Sequence, residues 1–138
     1  MMLNELKERG YMVKENGAVY YTENMDQTME WFRKVLGWYS QVDLRNENNE
    51  GMYGSVNNIP IEVDELHLGP YTGMHMFYGE PIKRMIGFMQ VEGIEKLYSY
   101  VKKQGWNQIT EVVPEPWGGK SCEITTIDGS IITFFELV

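Results

Sequence analysis

Reactive groups are scarce in this chain. One cysteine, Cys122, in 138 residues rules out an internal disulfide, and its strand-like surroundings suit a small buried hydrophobe better than a reactive thiol. Only two histidines, His67 and His75, are present. No run approaches the roughly 20 apolar residues that a membrane span requires, and the first nine residues are too charged for the apolar core of a secretory signal. The expectation is a soluble, cytoplasmic protein with no membrane partner. Basic residues are also few, 12 against 20 acidic ones, and the net charge of −8 opposes phosphate backbones. Nucleic acid is therefore not expected as a partner, and a neutral or cationic ligand is favoured.

What is present is a repeat. An apolar strand, an amphipathic helix and a Gly-Trp stop occur over residues 19–38 and again over residues 87–106, with Gly37-Trp38 and Gly105-Trp106 set 68 positions apart. One supersecondary unit used twice means that neither copy closes a core alone. At 138 residues the chain suits a single domain, 1–138, since two independent domains would be too small. We divide it into an N-terminal extension, 1–16, a first half, 17–80, and a second half, 81–138.

Residues 18–22 have the β-branched and aromatic content of a strand, and Asn24 follows as a helix N-cap. Met25, Met29, Phe32 and Leu36 recur at helical spacing, which predicts one helix over residues 25–36 closed by a left-handed Gly37. The second copy reads as a strand over residues 86–91 and a helix whose stripe is Ile94, Leu97, Tyr98 and Val101, closed by Gly105. Residues 3–9 read as a short polar helix, 43–51 as a polar loop, and Asp128-Gly129 as a tight hairpin. Each half thus reads β-α-β-β-β, an α+β chain of two tandem half-modules forming curved mixed sheets.

These paired halves, with a first helix ending in Leu36-Gly37-Trp38, resemble the vicinal oxygen chelate superfamily of glyoxalases, extradiol dioxygenases and bleomycin resistance proteins. The order Val91-Glu92-Gly93-Ile94-Glu95-Lys96-Leu97-Tyr98, then Glu115-Pro116-Trp117-Gly118, then Asp128-Gly129 is most similar to the bleomycin resistance branch. The resemblance covers about residues 17–137. It implies a homodimer with ligand clefts between subunits, and it puts the tryptophan matching Trp117 beside the ligand.

For members with a metal, the resemblance places ligands on the first strand of each half and four residues after the glycine of the terminal hairpin. Here those positions fall near Gly17 or Ala18, at Ile86 and at Thr133, which lack the imidazole, carboxylate or thiolate donors a catalytic divalent ion takes. No cofactor is expected. His67, His75 and Glu136 are the remaining candidates, with Glu123 beside them.

Eighteen aromatics, among them four tryptophans, exceed what a small core usually needs. Flat rings bind planar or cationic ligands by stacking and by quadrupole attraction. Trp38, Tyr53, Trp117 and Glu115 are the candidate ligand-binding residues, Trp38 having core packing as an equal alternative. Met74 and Met76 are read as softening a ligand cup, or as ordinary core. No nucleophile, base and orienter set is recognisable, so no catalytic residue is named and an enzyme is not favoured. The leading reading is a metal-independent dimeric binder of a small aromatic or cationic molecule, as in antibiotic sequestration. The runner-up is a metal-dependent glyoxalase-like lyase or dioxygenase with non-standard ligands. A third is a sensing module whose loop over residues 43–51 orders above the ligand.

Overall fold

The computed structural model describes residues 8–11, 17–58 and 73–138. Most of the expected polar helix at residues 3–9, and His67, lie outside them. Strand β1 (Ala18–Thr22) alternates its side chains, burying Tyr20 and Thr22. Helix α1 (Met25–Trp31) starts at Asn24, whose side chain accepts from the Gln27 amide. The single helix expected over residues 25–36 is in fact divided. It widens into a π turn over Phe32–Leu36 and ends at Gly37, φ 73°, where the Gly37 amide donates to Arg33 and the Trp38 amide to Phe32. This bend lays the Trp38 ring on Phe32, with centroids 5.9 Å apart.

Strands β2 (Tyr39–Arg45), β3 (Gly51–Asn57) and β4 (Gly73–Tyr78) complete the first half in the order β1-β4-β3-β2, with β1 and β4 parallel. The polar loop expected from residue 43 is shorter than predicted. β2 continues to Arg45 through an irregularity at Asp43, and a tight turn remains in which Asn46 Oδ1 accepts from the amides of Asn48 and Glu50. The second half repeats the plan: β5 (Met85–Gln90), α2 (Ile94–Lys103), β6 (Val113–Pro114), β7 (Lys120–Thr125) and β8 (Ile131–Glu136), ordered β5-β8-β7-β6.

Each sheet has one face under a helix and one open face. Met74 and Met76, considered above as cup residues, are fully buried on the helix side beneath Met25 and Met29. Gly51 and Gly54 make room there, since a Cβ on either would run into Met25 or Met29. Ile132, Phe134, Cys122 and Ile124 play the same part in the second half. The halves meet through rings: Trp38 lies edge-on to Phe134 at 6.1 Å and Trp31 edge-on to Trp106 at 5.2 Å. Trp38 is partly buried in this joint, packed on Phe32 and Phe134. Trp106 is anchored too, its indole N–H donating to the Thr125 carbonyl at 3.0 Å.

Candidate functional site

Period-two alternation sends the residues between the core positions to the open faces. On the first sheet these are Val19, Tyr21, Gln41, Asp43, Tyr53, Ser55, His75 and Phe77. Antiparallel register puts Ser55 opposite His75 and Tyr53 opposite Phe77, and the parallel pairing puts Val19 opposite His75. The Tyr53 hydroxyl and His75 Nδ1 are 2.7 Å apart with the rings nearly parallel. Tyr53 is the donor when Nδ1 is the unprotonated nitrogen. Phe77 packs on Tyr53 at 5.2 Å and on Tyr21 at 5.9 Å. Beside them Tyr39 donates to Gln41, Gln41 to Asp43, and Ser55 to the other Asp43 oxygen at 2.9 Å. Asp43 is thus a held carboxylate on this face. From sequence, Asp43 counts among the acidic residues of the polar loop, whereas it lies on strand β2.

The second open face is more apolar. Phe88 stacks on Phe135 at 4.5 Å, and Trp117 stands edge-on to Phe135 at 6.0 Å. Phe88 is 62% exposed and Trp117 50%. Trp117 is carried on a tight turn in which the Glu115 amide donates to the Gly119 carbonyl and the Gly118 amide to the Glu115 carbonyl, with Gly118 at φ 95°. Gly119 lies directly under the indole, where a Cβ would collide with the ring. Glu115 points back to the sheet and accepts from Ser121 Oγ at 2.6 Å. Glu123, exposed, stands opposite Thr133. The structure thus brings Trp117 and Glu115 together and puts Tyr53 on the other open face. Phe88 and Phe135 were missed, although alternation along residues 131–136 marks Phe135 as facing away from the buried Ile132 and Phe134.

The remaining metal candidates are dispersed. Glu136 points to the helix side, where its carboxylate accepts from the Gly93 amide at 2.8 Å and the Ile94 amide at 3.1 Å. These two amides, with help from Lys120, hold it below the usual carboxylate range. In this position Glu136 caps the N-terminus of α2. Of the positions where the family resemblance puts metal ligands, Gly17 and Ile86 carry no donor, and the Thr133 hydroxyl donates to Met85 Sδ at 3.1 Å. Among the described residues no three His, Cys, Asp or Glu side chains converge. This donor set does not fit a divalent ion at that site.

Two β-α-β-β-β units, each a mixed sheet with one helix-covered face and one open face, define the class as the vicinal oxygen chelate fold. The family model for the bleomycin resistance protein domain matches residues 17–79. A glyoxalase-related enzyme from Clostridium phytofermentans is 48% identical, with a TM-score of 0.88 over 94% of this chain and 99% of that one. A bleomycin resistance determinant encoded on the transposon Tn5 is 11% identical, with a TM-score of 0.67 over 91% and 98% of the two chains. A bleomycin-binding protein in complex with bleomycin, also 11% identical, gives 0.66 over 91% and 100%. Nothing among curated protein sequences matches. The chain belongs to the glyoxalase/bleomycin resistance/dioxygenase superfamily, on the strength of the 48% relative.

Proposed function

We propose that this protein is a homodimeric binder of a small aromatic or cationic molecule and that it works without a metal. The observation that carries the reading is the second open face, where Phe88, Phe135 and Trp117 form an aromatic surface exposed to water with the Glu115 and Glu123 carboxylates beside it. An aromatic surface of this kind marks an interaction site, and flanking carboxylates favour a cation on it. A second copy covering the open faces would exclude water from both and put residues of two subunits around one ligand. The proposed ligand contacts are Trp117 and Glu115 on one face and Tyr53 on the other, with Asp43 as a further carboxylate.

The test is tryptophan fluorescence and thermal melting with bleomycin and a panel of cationic glycopeptide and aromatic compounds, on wild type and Trp117→Ala. Saturable quenching and a raised melting temperature in wild type, weakened at least tenfold in the variant, are expected. A flat response across the panel would sink the reading.

A second reading, a metal-dependent glyoxalase-like lyase or dioxygenase, draws its support from the description of the 48% relative as a glyoxalase-related enzyme and from His75 on the first open face. Metal analysis of protein purified without chelator separates the two. One divalent ion per subunit, lost in His75→Ala, would favour the enzyme.

A further inference from the structure

The hairpin at Asp128-Gly129 reaches out of its own half. The Asp128 carboxylate accepts from Tyr20 at 2.6 Å and Thr28 at 2.6 Å through Oδ2, and from Thr22 at 3.0 Å through Oδ1. All three hydroxyls belong to the first half, and all three residues are fully buried. Behind them Thr126 Oγ1 lies 2.7 Å from the Tyr20 oxygen. With the Tyr20 proton directed to Asp128, Thr126 is the donor of that pair. The Ser130 amide donates to Thr126 in turn, and the Asn24 amide to Thr22. Every proton in the cluster therefore runs toward one carboxylate, which is acceptor-only and so collects donors from both sides.

The ring contacts of the joint, Trp38 on Phe134 and Trp31 on Trp106, supply adhesion without direction, and the buried Trp31 indole N–H there makes no hydrogen bond among the described residues. If the halves slid or parted, the rings would find other contacts. Thr22 and Thr28 lie 2.9 Å apart and can satisfy one of their protons between them. In a joint that slid and stayed packed, the other proton and that of Tyr20 would be left buried without an acceptor, at the cost of their desolvation.

We propose that Asp128 is the pin of a latch that locks the two halves together within one chain, and that without it the halves separate or re-pair with those of another copy. The latch also fixes the two open faces relative to each other, since β1 bears Val19 and Tyr21 on one face and β8 bears Thr133 and Phe135 on the other. The inference goes beyond the binding reading and does not depend on it, because no ligand enters the test.

A protease recognition sequence is inserted between Glu80 and Pro81, in the exposed connection between the halves, and the cut full-length chain is diluted and examined by native mass spectrometry. The cut wild type is expected to stay whole. The cut Asp128→Ala protein should release at least ten times more free or exchanged halves at the same concentration, and Thr28→Val, which keeps the shape and removes one donor, a smaller excess. Should Asp128→Ala fail to fold, Thr28→Val decides alone. Cut variants that stay whole as well as wild type overturn the proposal, and so does a cut wild type that falls apart.

Discussion

Burial, helped by the Glu95 and Glu123 carboxylates, pushes the Cys122 thiol up to about 11. At pH 8 roughly one thiol in a thousand is then ionised, against about a quarter for an ordinary cysteine. Thiol reagents are expected to label native protein at least a hundredfold more slowly than protein in denaturant, followed by absorbance. At Gly119 the absent side chain is what lets the Trp117 indole lie flat. Gly119→Ala is expected to displace the ring and to lower stability by about 1–3 kcal/mol, read from acrylamide quenching and the urea midpoint. Neither environment could be read locally. Tyr53 and His75 are 22 positions apart and meet only through the β3–β4 register. Asp128 was legible as a turn residue, but not as the acceptor for Tyr20, 108 positions away.

The elements themselves were largely legible, because caps, turns and hydrophobic period are local signals. Asn24 caps α1, Gly37 is left-handed, and β1 spans the residues expected of it. The π turn was not legible, since the spacing of Phe32 and Leu36 suits either helix type. At α2 the sequence offers no N-cap: the position is Gly93, at φ 89°, with no side-chain bond of its own. Glu136 supplies the missing acceptor from the end of β8. Its folded-state pKa is depressed, so the stability it contributes is present above the ordinary glutamate range, about 4.3, and is lost as pH falls through the folded value. Glu136→Gln should therefore unfold at lower urea than wild type at pH 7, and the gap in midpoints should shrink by pH 3. A gap that stayed constant with pH would refute the cap.

The two halves share one core, with Phe134 of the second buried against Trp38 of the first. Phe134→Ala is expected to cost about 3–5 kcal/mol and to leave a single unfolding transition by both circular dichroism and tryptophan fluorescence. Separate transitions for the two halves would show that the joint does not couple them. Alternation along each strand divides its residues between two tasks that barely overlap. Tyr20, Met74, Met76, Ile132 and Phe134 face the helices, while Tyr53, His75, Phe88 and Phe135 face outward. Outward positions away from caps and glycine contacts can change at little expense in folding free energy, usually within about 0.5 kcal/mol. A lineage carrying this scaffold can therefore rewrite its open faces by small, individually tolerated steps, with the folded state held in reserve on the opposite side of the same strands.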